Sequence, residues 1–335
     1  MLGPITMNIE GTTLTAEDRE LLANPLVGGV IYFSRNYESA NQIKSLSEEI
    51  KAINEELLIT VDHEGGRVQR FRDGFTHLPP LRELGACYDE DQKEGLLLAK
   101  EAGWLMAAEL RSVGVDFSYA PVLDLDLGIS EVIGDRSFYH EPKSVIALAK
   151  AWVEGVHEAG MIAVGKHFPG HGSVALDSHK AIPTSDLDFD RPNDGMLVFE
   201  ELIRSKIDAI MPAHIVFMKL DKQAVGFSKY WLQHILRQKL KFEGAIISDD
   251  MSMKGASVAG SMLERCQLAL DAGCDMVLVC NDREGLCRLV EHLRDTREEV
   301  SAERLKKLHG RKQYNMLALQ KDERWKRARK LIDGA

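Results

Sequence analysis

Residues 166–180, KHFPGHGSVALDSHK, bring together Lys166, three histidines (His167, His171, His179) and Asp177, punctuated by Pro169, Gly170 and Gly172. They follow the apolar run 161–164, so a rigid strand feeds a loop that carries titratable groups. The pair Asp177-x-His179 is the sharpest feature, because a carboxylate beside an imidazole fixes its tautomer and keeps it basic enough to move protons. Elsewhere Asp62, Arg70, Arg136, Asp249 and Asp250 stand at or just beyond the ends of other apolar runs.

Four chemistries compete for this inventory. Metal-assisted hydrolysis needs several His and carboxylate ligands on one ion. Barrel metallohydrolases carry an H-x-H after the first strand, where this chain reads Asn8-Ile9-Glu10, so only His167, His171 and His214 remain as possible ligands. Phosphate or dinucleotide binding wants a full glycine fingerprint opening a helix, and Gly170-His171-Gly172 is half of one. Acyl transfer through Ser178 or Ser248 lacks a G-x-S-x-G elbow. Glycosyl transfer to water needs one carboxylate at the reacting carbon and one acid for the leaving oxygen. Asp249, at the end of a buried run, and His179, partnered by Asp177, supply that pair. The Arg, Lys, His and Asp residues at the other strand ends suit a substrate dense in hydroxyls. This fourth chemistry fits the residues best, and no metal or cofactor is expected.

The elements that must position these groups alternate. Short apolar strands are expected at 4–9, 28–33, 57–61, 115–119, 161–164, 209–212, 245–247 and 276–280. Helices lie between them, at 16–23 (with Thr15 as N-cap), 40–54, 94–113, 144–159, 196–205, 229–240 and 261–272. About eight such units favour a closed (β/α)₈ TIM-type barrel over an open doubly wound sheet, since a barrel gathers the residues after its strands onto one face. The expected organisation is a single-domain barrel over 1–300 with a C-terminal helical extension, 301–335, packed on it.

Composition sets the wider limits. The 335 residues are 44% hydrophobic and 28% charged, with a net charge of −10, as in a soluble globular protein. That charge argues against nucleic acid or anionic membrane as a partner. Residues 301–335 reverse the sign, with 11 Lys/Arg against 4 Asp/Glu, and read as solvated terminal helices. Five cysteines without C-x-x-C spacing fit reduced thiols. No secretory core or membrane-length apolar run is visible, so a cytoplasmic monomer is expected.

Four motifs in order, VDHEGGRVQR (61–70), GKHFPGHG (165–172) with DSH (177–179), MPAH (211–214) and ISDDMSM (247–253), resemble those of family 3 glycoside hydrolases. Within that family the chain is similar to single-domain bacterial β-N-acetylglucosaminidases of peptidoglycan recycling. The resemblance implies a retaining mechanism with Asp249 as nucleophile, His179 as general acid/base and Asp177 as its partner. It implies that Asp62, Arg70, Arg136, Lys166 and His167 bind a terminal N-acetylglucosamine, and that Asp250 is structural. It also implies a muropeptide substrate, N-acetylglucosamine linked β-1,4 to an anhydro-muramic acid fragment with or without peptide. Another family 3 exo-glycosidase such as a β-glucosidase, or a phosphorylase acting on N-acetylglucosaminides, is the alternative. Asn8 and His63 depart from the family's usual Asp and Gln, and 224–228 (AVGFS) departs from its small, Pro-rich pattern.

Overall fold

The computed structural model describes residues 2–130, 132–174, 183–186, 195–295, 297 and 299–334. Its central sheet has eight strands: β1 (Ile5–Asn8), β2 (Val27–Tyr32), β3 (Leu58–Val61), β4 (Phe117–Ser118), β5 (Val164–Phe168), β6 (Ala209–Pro212), β7 (Ala245–Asp250) and β8 (Met276–Val279). All neighbouring pairs are parallel, and β8 returns to β1 through the register Ile5↔Val277. Between β4 and β5 the ring is completed by a bridge from Val122 to Lys166. There the Val164 amide donates to the Ala120 carbonyl (2.8 Å) and the Leu123 amide to the Lys166 carbonyl (2.7 Å). The result is the (β/α)₈ barrel expected from the alternation.

Strands buried on both faces read as continuous apolar runs, and β1, β2, β3, β6 and β8 are buried throughout. Helix ends follow the sequence closely. Thr15 and Asp18 form a capping box for Ala16–Ala23, and Asp91 caps Gln92–Ser112 by accepting from the Lys93 and Glu94 amides.

Three boundaries differ from expectation. β4 is short, two residues where 115–119 was expected. β5 begins where 161–164 was expected to end and carries Lys166 and His167 inside the strand. β7 likewise runs on through Asp249 and Asp250. Three features were not foreseen, the hairpin His63–Gly65/Val68–Gln69, the helix Leu81–Glu90 and the small parallel pair Thr184–Ser185/Val216–Phe217. The segment read as an ordinary helix over 229–240 is wound as a π-helix over Tyr230–Lys239.

The last helix, Glu323–Asp333, lies against Gln92–Ser112. Trp325 donates from Nε1 to the buried Glu109 carboxylate (2.8 Å), and Arg324 pairs with Glu101 (2.9 Å) and Glu158 (2.7 Å) while stacking over Trp104. No helix among the described residues is long and apolar enough to cross a membrane.

Candidate active site

A cavity of about 420 Å³ opens at the C-terminal ends of the strands. Asp62, Arg70, Arg136, Lys166, His167 and Asp249 all line it, so six of the eight singled-out residues converge from different parts of the chain. Asp177 and His179 lie outside the described residues. A cleft of about 250 Å³ at the opposite end of the barrel, beside Asp208 and Gly244, contains none of these groups.

Asp62 follows β3 directly, and the chain then turns into the hairpin. In extended chain, residues i and i+2 share a face, so Glu64 projects beside Asp62. Lys166, pointing in from β5, donates to Asp62 (2.8 Å) and to Glu64 (2.6 Å). Arg136 comes from the short 3₁₀ turn Gly134–Arg136 and grips Glu64 with a two-pronged pair, Nε to Oε2 at 2.9 Å and Nη2 to Oε1 at 2.8 Å. Arg70 stands farther off, 3.6 Å from Asp62. The planar guanidinium fork fixes direction as well as charge.

Glu64 was not singled out in the sequence, yet it is the hub of this network. Burial opposes its ionisation, but Arg136 and Lys166 outweigh that and hold its carboxyl well below the usual carboxylate range. Lys166 is raised in turn: burial disfavours its charge, and Asp62 and Glu64 more than restore it. Because the folded pKa of Glu64 is depressed, its contribution to stability is whole above the unfolded value of about 4.3 and is lost as pH falls from there. Glu64→Gln is expected to cost about 1.5–3 kcal/mol in urea unfolding at pH 7. The gap between variant and wild type should narrow below about pH 4; a gap that is constant with pH would show that the charge plays no part.

Asp124 is a second hub, wholly buried. Its carboxylate accepts from the His167 ring at Nδ1 (2.7 Å), the His167 amide (3.2 Å) and the His171 amide (2.7 Å). The His167 Nδ1 is thereby committed, which leaves Nε2 as the ring's remaining polar atom. Burial opposes the charge of Asp124, but His167 and His171 keep its pKa below the ordinary value.

The two adjacent aspartates of β7 differ in their surroundings. Asp250 is spent on structure, accepting from the Ser252 amide (2.9 Å), the Ser252 hydroxyl (2.6 Å) and the Cys280 amide (3.1 Å). Burial raises its pKa. The Asp249 carboxylate has a single protein hydrogen bond among the described residues, from the Asp250 amide to Oδ1 (2.8 Å). Burial works against its charge, but His214, His167, that amide and Lys166 prevail, so its pKa is lowered. A rigid, ionised carboxylate with open valence, facing a cavity lined by cations and imidazoles, is suited to attack an electrophilic carbon.

The two sequence departures have local partners. Asn8 accepts the Asn281 amide (2.7 Å), fixing that residue at φ 55° beside the cavity. His63 packs its ring against Phe71 and Phe75, and burial together with Arg70 and Arg72 pushes its pKa down to about 3. His214 meets the Asp250 carbonyl through Nε2 (3.2 Å) and stacks on Phe227. No group of three or more potential metal ligands occurs among the described residues.

Residues 5–308 match the glycosyl hydrolase family 3 N-terminal domain. A β-hexosaminidase from Methylobacillus flagellatus is 51% identical over 324 residues, 96% of this chain and 93% of that protein. One from Thioalkalivibrio sulfidiphilus is 51% identical over 336 residues, 99% and 96% of the two chains. NagZ from Neisseria gonorrhoeae, in its native form, superimposes with a TM-score of 0.94 at 38% identity, covering 99% of this chain and 97% of that one. The same enzyme in complex with N-trifluoroacetyl-D-glucosamine gives a TM-score of 0.94 with 99% and 98% covered. With relatedness along its whole length and an exposed-valence carboxylate at the mouth of its barrel, the chain belongs to glycosyl hydrolase family 3.

Proposed function

We propose that the chain is a retaining exo-β-N-acetylglucosaminidase that removes the terminal non-reducing N-acetylglucosamine from muropeptide fragments through a covalent glycosyl-enzyme. Its broader class, β-hexosaminidase, follows from full-length relatedness to curated enzymes of that name. The finer reading rests above all on Asp249, a half-buried carboxylate of depressed pKa at the end of a barrel strand with only one protein hydrogen bond among the described residues.

In this reading Asp62, Arg70, Arg136, Lys166 and His167 hold the hydroxyls of the terminal sugar. Asp249 attacks the anomeric carbon while His179, oriented by Asp177, gives a proton to the departing aglycone oxygen. A water then enters, His179 takes its proton, and the carbon–oxygen bond to Asp249 breaks, so the sugar leaves with its configuration retained. The Glu64 and Asp124 hubs keep Lys166, Arg136 and His167 in place before substrate arrives, which lowers the reorganisation the reaction requires. The proposal places this monomer in the cytoplasm and gives it no cofactor.

The test compares an aryl β-N-acetylglucosaminide with the matching aryl β-glucoside and with N-acetylglucosamine β-1,4-linked to anhydro-N-acetylmuramic acid. Release from both N-acetyl substrates, with kcat/KM for the glucoside lower by about 10²-fold or more, is the expected result. Equal turnover of the glucoside would replace this reading with a broad β-glucosidase. Turnover of the aryl substrate but not the muropeptide disaccharide would remove the proposed aglycone.

A further inference from the structure

The cavity contains one imidazole that neither hub explains. His171 lines the cavity with Asp249 and is only 3% exposed. Neither Nδ1 nor Nε2 has a hydrogen-bond partner among the described residues. Its backbone, by contrast, is firmly held. The amide is bonded to Asp124 at 2.7 Å, and its carbonyl accepts from the Val174 amide at 3.2 Å. At the next residue a Cβ would stand 1.9 Å from the Leu125 carbonyl oxygen, so only Gly172 permits this close approach. The ring rests edge-on to His167, centroids 5.9 Å apart. The fold thus presents His171 in one fixed place and leaves both of its polar atoms unmet among the described residues.

A neutral imidazole has one donor and one acceptor. Burial and the neighbouring His167 lower the pKa of His171, which favours that neutral form. Polar side chains this deeply buried are rarely left without partners, and those that are tend to serve a ligand. A sugar hydroxyl both gives and takes a hydrogen bond, so it matches what the ring lacks. We infer that His171 is a substrate-contacting residue, holding a hydroxyl of the bound sugar in addition to the contacts made by Lys166, His167 and Asp62. This inference rests on the glycosidase reading above.

The test uses the full chain with His171→Leu, which removes both polar atoms, and His171→Gln, which keeps a donor and an acceptor. For aryl β-N-acetylglucosaminides with good and poor leaving groups, His171→Leu should lower kcat/KM by about 10–100-fold while its Tm holds or rises, because an orphaned polar group has been replaced by an apolar one. His171→Gln should recover most of that loss. A Leu variant within twofold of wild type overturns the inference, as do two variants that lose activity and Tm equally, which is the pattern of a structural histidine. A fall in kcat confined to the good leaving group, with kcat/KM intact, assigns His171 to the water of the second step and also overturns it. Wild type inactive on every N-acetylglucosaminide sinks the glycosidase reading instead. Calorimetric binding of free N-acetylglucosamine then decides His171: a weaker Kd in the Leu variant supports the contact, and an equal Kd removes it.

Discussion

Asp249→Ala is expected to lower kcat by about 10⁴-fold or more on an aryl β-N-acetylglucosaminide, and added azide is expected to restore part of it. The reason lies in the different surroundings of the two adjacent aspartates. Asp250 is committed to Ser252 and Cys280, so it cannot swing in as a substitute without dismantling the turn after β7. Among the described residues the Asp249 carboxylate accepts one hydrogen bond, from the Asp250 amide, and otherwise faces the cavity. Its removal leaves a hole on the face of the sugar from which the carboxylate attacked. Azide, small and anionic, enters there, bonds to the anomeric carbon and expels the aryl oxide. The product is the α-glycosyl azide, inverted relative to the β-substrate, which is the signature of a displaced nucleophile. A residual rate within about tenfold of wild type, or a β-azide, would take the nucleophile's role from Asp249. The measurement is chromophore release with product configuration by NMR, after urea unfolding has shown that the variant is folded.

How far this site could be read from the sequence depends on the kind of interaction. Asp249 was legible because ISDD closes an apolar run, and in a parallel barrel every such closure falls on one face. Lys166 and His167 were legible for the same reason, although the strand carrying them was placed too early. Polar residues inside a buried strand break the apolar pattern, so the run 161–164 was visible and its continuation to Phe168 was not. Glu64 escaped because its meaning lies in two partners far along the chain, Arg136 and Lys166. Only its i, i+2 relation to Asp62 hinted at a shared face. Asp124 escaped likewise, since its service to the His167 ring and two backbone amides is a property of the closed barrel. The π winding of Tyr230–Lys239 has no distinct periodic signature in ten residues, so it read as an ordinary helix.

His179→Ala is expected to separate substrates by leaving group. A poor leaving group such as a sugar or alkyl alcohol departs only if its oxygen gains a proton, so loss of the acid should lower kcat/KM by about 10²–10⁴-fold. A 2,4-dinitrophenolate departs as the anion and needs none, so kcat/KM for that substrate, which reports the first irreversible step, should stay near the wild-type value. Its kcat should still fall, because the same imidazole is asked to take a proton from water in the second step. The glycosyl-enzyme should then accumulate as a rapid burst of chromophore equal to the enzyme concentration. Residues 175–182 lie outside the described structure, so this kinetic pattern is the direct test of the Asp177–His179 pair. Asp177→Asn should show the same pattern with a smaller loss, since it leaves the imidazole in place and removes only the charge that keeps it basic. Equal losses of kcat/KM for good and poor leaving groups would mean that His179 binds or supports the sugar rather than moving the proton. The acid would then have to be sought among the cavity's other titratable groups; His214, buried behind them and fixed on the Asp250 carbonyl, is less able to travel to the leaving oxygen.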